Sequence, residues 1–73
     1  GSYRAAAVTP GDSTILPATR GIWVGVAGNL AVIFAGDTTA VTLVGVAAGT
    51  LLPIQVTKVM STNTTATNIV ALY

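Results

Sequence analysis

Short runs of apolar, mostly β-branched residues, separated by Gly, Pro, Asn and Thr, are the feature that most constrains the fold of this chain. No segment repeats apolar residues at the spacing of a capped amphipathic helix. Runs of this kind, with turns every ~8 to 12 residues, are typical of small antiparallel sandwiches and barrels. The sequence therefore predicts an all-β fold: a small antiparallel β-sandwich or barrel of about six short strands. The predicted strands are residues 3–9, 20–27, 30–35, 40–44, 50–60 and 68–73.

The middle of the chain is predicted to be a three-stranded meander. Gly28-Asn29 suits a two-residue hairpin loop between strands 20–27 and 30–35, because both residues tolerate positive φ. Residues 36–39 form a second predicted turn before the third strand. Strand 30–35 is apolar on both faces, so we expect another layer or a neighbouring subunit to cover each face. In strand 20–27, alternation places Ile22, Val24 and Val26 on one face and Trp23 and Gly25 on the other.

Strand 50–60 is the longest predicted element. Pro53 cannot donate a ladder hydrogen bond, so its half of the strand is expected at an edge or a bend. In the second half, alternation directs Gln55, Thr57 and Val59 to one face and Ile54, Val56, Lys58 and Met60 to the other. The following Thr-rich segment, residues 61–67, is predicted to be a polar surface loop.

Charge is scarce: the 73-residue chain has five charged side chains, or 7%, against about 25% in typical soluble domains. Three cations and a net charge of +1 exclude a nucleic-acid surface. Without Cys or His there is neither a disulfide framework nor a zinc site. Because small folds usually need such a staple, we expect this one to be stabilised by self-association or by a partner surface.

The inventory of reactive side chains argues against an enzyme. The chain has no His, Cys or Glu, and its two carboxylates, Asp12 and Asp37, lie in predicted turns. Asp12 with Ser13 is interpreted as a local turn in which the side chains bind nearby backbone amides. Lys58 is interpreted as a solvated strand residue. We therefore expect no catalytic residues, no cofactor and no metal site.

Membrane insertion is not expected either. The longest charge-free run, residues 38–57, has the length of a bilayer span, but it contains several Thr, two Gly, Pro53 and Gln55. Gly1-Ser2 is interpreted as a tag remnant, and residues 3–73 as one β domain.

Five residues are candidates for an interface. Trp23 is the first choice because interface hot spots favour Trp, although core packing would also explain an aromatic residue. The guanidinium groups of Arg4 and Arg20 could pair with Asp12 or with a partner's carboxylate, or be solvated. The full candidate set is Tyr3, Arg4, Arg20, Trp23 and Tyr73.

Longer stretches of the sequence carry a family resemblance. They are AVTPGDSTILPATRGIWVGVAGNLAV (residues 7–32), VAAGTLLPIQVTKV (residues 46–59) and TNTTATNIVALY (residues 62–73). They resemble the spike base protein family of phages and phage-like gene transfer agents of α-proteobacteria. The shared patterns are A-V-T-P-x-D-S-T, T-R-x-[IL]-[YW]-V-G, A-G-T-L-L-P-[IL] and T-A-T-N-I-V-A-L-Y, and none of them is catalytic.

The resemblance implies an oligomeric virion protein made in the bacterial cytoplasm and located on the capsid surface. Its implied role is the base that attaches a head spike or fibre to the capsid. The implied partners are further copies of the chain (a pentamer or a trimer), the major capsid protein and the spike or fibre, with host surface polysaccharide reached indirectly. Two alternatives stay open: a capsid decoration or cement protein, and a carbohydrate-binding adhesive module of a tail or fibre.

Overall fold

The computed structural model describes all 73 residues and contains only β-strands and their connections. Seven strands form two antiparallel sheets, which confirms the all-β prediction. The strands are β1 (Ala5–Val8), β2 (Gly21–Val26), β3 (Gly28–Phe34), β4 (Val41–Val46), β5 (Thr50–Leu52), β6 (Val56–Val59) and β7 (Thr67–Leu72). Sheet A has the order β1-β7-β2-β5, and sheet B has the order β4-β3-β6. No helix of the length and hydropathy needed to cross a bilayer is present.

The core lies between the two sheets. Ile22 and Val24 of sheet A and Leu30 and Val32 of sheet B are fully buried and belong to one hydrophobic cluster. The prediction that Ile22 and Val24 lie on the inward face of β2 is therefore confirmed. Val26 is instead exposed, because it is the last residue of β2, where the chain leaves sheet A.

The predicted Gly28-Asn29 hairpin and its three-stranded meander are wrong. β2 and β3 belong to different sheets, and only Ala27 separates them. Gly28 does not turn the chain; it allows a close backbone approach, because a Cβ there would lie 2.5 Å from Ala66 N. The Asn29 carbonyl accepts hydrogen bonds from the N–H groups of Thr65 and Ala66. Of the meander, only the β3–β4 hairpin exists.

The predicted long strand is two strands. Residues 53–55 separate β5 at the edge of sheet A from β6 at the edge of sheet B, so Pro53 does mark both an edge and a bend. The predicted alternation of β6 is wrong, since Val56 and Val59 both lie in the core. A bulge causes this: Thr57 is the extra residue where the register with β3 shifts.

β3 is buried on both faces only at its centre, and the second covering layer that its apolar pattern predicts is not supplied within one chain, since Ile33 is half-buried and Ala35 is exposed. Leu30, Ala31 and Val32 are all buried. On the side toward β6, Ala31 N–H donates to Thr64 Oγ1 at 3.0 Å. The predicted polar loop is therefore partly a packing element that lies along the start of β3.

Candidate interface

The outer face of sheet A, opposite the core, is almost wholly apolar. Since alternate residues of a strand face opposite sides, the neighbours of the buried β2 residues point outward. In register they form two rows, Ala5–Leu72–Gly21 and Ala7–Val70–Trp23–Leu51. We call these seven residues the apolar face. It carries no charged side chain, and it spans all four strands of the sheet.

Trp23 is the central side chain of the apolar face. It is 41% exposed, and its neighbours in the register are Val70 on β7 and Leu51 on β5, the latter 54% exposed. A half-exposed indole between aliphatic side chains can bury much further area against a partner. This is the environment in which interface hot spots occur.

A shallow cavity of about 350 Å³ adjoins this face. Its lining includes Leu51 and Leu72 of the apolar face and, beside them, Pro53 and Arg20. Arg20 Nη1 donates to the Gly1 carbonyl at 3.1 Å. The apolar face therefore has a cationic group on its rim.

The other arginine among the candidate interface residues, Arg4, directly precedes β1. Arg4 lies over the ring of Tyr73, with its guanidinium carbon 4.3 Å from the ring centroid. Tyr73 itself belongs to the core cluster and is nearly buried, whereas Tyr3 is almost fully exposed. Neither arginine forms the ion pair with Asp12 that the sequence left open. The Asp12 carboxylate instead accepts hydrogen bonds from Ser61 and Thr62. Of the candidate interface residues, the structure brings Trp23 and Arg20 to one surface and places Tyr73 beneath Arg4.

Asp12 does not form the predicted local turn with nearby amides. Its carboxylate accepts hydrogen bonds from the N–H and hydroxyl groups of both Ser61 and Thr62, about fifty residues along the chain. The bonds from the Thr62 hydroxyl and N–H, then those from Ser61, lower the pKa of Asp12 from 3.8 to about 2. Lys58 Nζ also donates to the Asp12 carbonyl at 3.3 Å. Asp12 thus connects the segment after β1 to the loop after β6.

The Asp12 contacts predict a loss of stability in acid. Because the pKa is lower in the folded chain, the ionised carboxylate stabilises the fold fully above about pH 4. This contribution disappears as the pH falls toward 2. We expect the melting temperature of the wild type to fall over this range, and Asp12→Asn to be less stable at pH 7 but flatter in acid. Asp37→Asn is the control and should keep the acid response; an unchanged response in Asp12→Asn would contradict the assignment.

Thr19 is a structural residue that sequence reasoning missed. It is the one buried polar residue, only 2% exposed. Its hydroxyl donates to the Ile54 carbonyl and accepts from Val56 N–H, both at 3.0 Å. These bonds supply partners for backbone groups at the bend between β5 and β6, where no neighbouring strand provides them. No local signal distinguishes Thr19 from the other threonines of this Thr-rich chain.

Comparison with known proteins finds this fold in a solved structure. No protein-family model and no curated protein match the chain. A chain of a solved structure, the capsid of a native gene transfer agent particle computed with C5 symmetry, matches all of it with a TM-score of 0.87. The two are 32% identical, and the match covers 84% of that chain. The protein belongs to the family of this gene transfer agent capsid chain.

Membership of this family agrees with the site described above. The likeness extends over all seven strands, which include the strands that carry the apolar face. The residues at these places pack, bond backbone groups or offer apolar surface. None forms a cluster of carboxylates that could hold a metal ion.

Proposed function

We propose that this protein is a structural, non-enzymatic component of a phage-like particle, and that it forms the base that joins a head spike or fibre to the capsid. The observation that carries the proposal is the likeness over the whole chain to a component of a gene transfer agent capsid. The likeness covers the full length of this chain at 32% identity, which supports a shared role in particle structure.

The surface chemistry supports a role in assembly. Seven outward residues of sheet A are apolar, and the chain has only five charges with which to keep itself solvated. A free monomer would leave this surface in water, whereas a particle component buries it permanently. Repeated attachment to a shell also multiplies contacts that are individually weak.

The fivefold vertex is the position that we propose for the base. A base seated on a fivefold vertex would be a pentamer rather than a trimer, and the related capsid was computed with C5 symmetry. We assign the apolar face around Trp23 to the capsid contact. Arg20 on its rim would meet a carboxylate of the major capsid protein, since an exposed cation at an apolar rim gives specificity through charge complementarity.

The alternatives differ in measurable ways. A cement protein would occupy the whole capsid surface, while a spike base occupies only the vertices. A carbohydrate-binding module would need polar groups around its stacking ring. Trp23 has the aliphatic Val70 and Leu51 beside it, so this arrangement favours a protein contact.

The test is deletion of the gene in the producing bacterium, followed by imaging of purified particles. We expect particles that keep their capsid but lack density at the vertices together with the spikes. The wild-type gene should restore both. Particles that are unchanged, or that lose an evenly distributed surface layer, would contradict the base assignment.

Two variants refine this test. Trp23→Ala removes the centre of the apolar face and should reduce particle occupancy about tenfold or more, the typical loss at a hot spot. Ile15→Ala removes another exposed apolar side chain outside that face and should leave occupancy unchanged. Equal incorporation of both variants would exclude the apolar face as the capsid contact.

A further inference from the structure

The two sheets have four edge strands, and two of these are protected. β5 is only three residues long and is followed by Pro53, which ends pairing. β6 is covered by the segment after β1, whose residues Gly11, Leu16 and Thr19 donate backbone hydrogen bonds to it at 2.9, 2.7 and 3.2 Å. β1 and β4 are neither as short as β5 nor covered like β6, and the one irregularity is a register shift at the Val44–Gly45 end of β4. Neither contains Pro or a charged residue.

β1 has free backbone groups on its outer side. Arg4 and Tyr73 exchange backbone hydrogen bonds in both directions, Tyr73 N to Arg4 O at 2.8 Å and Arg4 N to Tyr73 O at 3.4 Å. In an antiparallel pair such exchange recurs at every second residue. Ala5 and Ala7 therefore direct their N–H and C=O groups away from β7, to the open edge. Both residues are exposed.

β4 has a matching set of free groups. On β3, Ala31 N–H donates to Thr64 Oγ1, and the Ala31 carbonyl accepts from Met60 N, so its backbone groups point toward β6. By alternation, its register partner Thr42 directs its own groups away from β3. Val44 does the same despite the register shift that follows it, since the next N–H group, that of Gly45, points back to β3 and donates to Asn29 Oδ1 at 3.1 Å. The Val44 side chain is 78% exposed, so this edge is apolar as well as open.

The two open edges lie at opposite ends of the sandwich. Gly11 N, three residues after β1, donates to Val59 O, which places β1 beside β6. Residues 47–49 link β4 directly to β5. Since β1 and β5 are the two ends of sheet A, β4 and β1 are at opposite ends of the molecule.

We propose that β1 of one copy pairs with β4 of the next, so that sheet A of each subunit continues into sheet B of its neighbour. The contact joins two different surfaces, and repetition of such a contact gives a ring when the rotation from copy to copy closes, as it would about the fivefold axis of the proposed vertex. This inference rests on the proposed oligomeric base and names the surfaces that build it. Each junction satisfies backbone groups of Ala5 and Ala7 on one chain and of Thr42 and Val44 on the other. It also leaves the apolar face of sheet A free for the capsid.

Proline substitutions block one edge at a time. Ala7→Pro and Thr42→Pro each remove an N–H group that makes no hydrogen bond within the subunit, so both chains should fold. We expect the wild type to form a ring in native mass spectrometry at micromolar concentration. Each variant alone should be monomeric, at the 7.3 kDa of one chain. Ala7→Val and Thr42→Val keep the N–H groups and should keep the ring.

Mixing the two proline variants distinguishes this contact from self-pairing of one edge. The open β4 of Ala7→Pro and the open β1 of Thr42→Pro can still meet, so an equal mixture should give a dimer of one chain of each. Circular dichroism verifies folding, and Ala5→Pro with Val44→Pro is a second pair if either first variant is unfolded. A monomeric wild type, a ring formed by a folded proline variant, or a mixture without heterodimer would each overturn the strand pairing. Particles that still carry the protein at their vertices in that case would leave the base assignment intact.

Discussion

Gly28→Ala is expected to destabilise the protein more than the substitution of any other glycine by alanine. The added Cβ would lie 2.5 Å from Ala66 N and 2.8 Å from both Ala66 Cα and Thr65 C. These are backbone atoms, so no side chain can move aside, and either β3 or the loop before β7 must shift. Overpacking typically costs about 1 to 3 kcal/mol, and we expect at least the upper end here. A domain of this length has a total free energy of unfolding of roughly 4 to 11 kcal/mol. The loss is therefore a large fraction of the total, and the urea midpoint should fall strongly.

Gly36→Ala is the matched control. Gly36 lies in the turn between β3 and β4, and an added Cβ there would have nothing within 4 Å. The same methyl group should therefore change stability by less than about 1 kcal/mol. Both variants must be compared at one protein concentration, because assembly contributes to apparent stability. Equal urea midpoints for the two variants would refute the close approach at Gly28.

Thr19→Val is expected to have the second largest effect. Valine has nearly the shape of threonine, but it leaves the Ile54 carbonyl and the Val56 N–H without their partner at a buried bend. Each unsatisfied buried group costs about 1 to 3 kcal/mol, so a loss of about 2 to 4 kcal/mol is expected in thermal or urea unfolding. The bend between β5 and β6 should also lose protection in amide hydrogen exchange before the rest of the core does.

Two further variants test the cause. Thr19→Ser keeps the hydroxyl and should recover most of the stability. Thr39→Val makes the same chemical change at an exposed position and should have little effect. If Thr19→Ser were as unstable as Thr19→Val, the methyl group and not the hydroxyl would be what stabilises the bend.

The strands could be predicted because their physical cause is local. β-Branched and apolar runs favour strands wherever they occur, and alternation correctly assigned Ile22 and Val24 to the core. Pro53 was equally informative, since a missing N–H excludes a central strand position whatever the fold. The partner of each strand is not a local property. Gly28-Asn29 satisfies the requirements of a hairpin, yet the chain passes through it from one sheet to the other.

The candidate surface was predictable only in part, for the same reason. Trp23 was chosen for its residue type, but its exposure depends on β7 and β5, which are distant in sequence. Asp12 looked like a local turn residue because its partners are about fifty residues away. A bulge at Thr57 reversed the faces of half a strand, and such an insertion has no signal in a single sequence. The exposure of Trp23, the partners of Asp12 and the faces of β6 all depend on contacts between residues that are distant in sequence.

The position of β7 has a consequence for how the protein is made. β7 lies between β1 and β2, so the four-stranded sheet A cannot be completed until residues 67–72 have left the ribosome. The β3–β4 hairpin is local and can form earlier, whereas β1 has no strand to pair with until β7 is available. The open edge of β1 is then presented to other copies only by chains in which β7 is in place. Under the proposed strand pairing, the order of synthesis thus delays assembly of the copies until sheet A is complete.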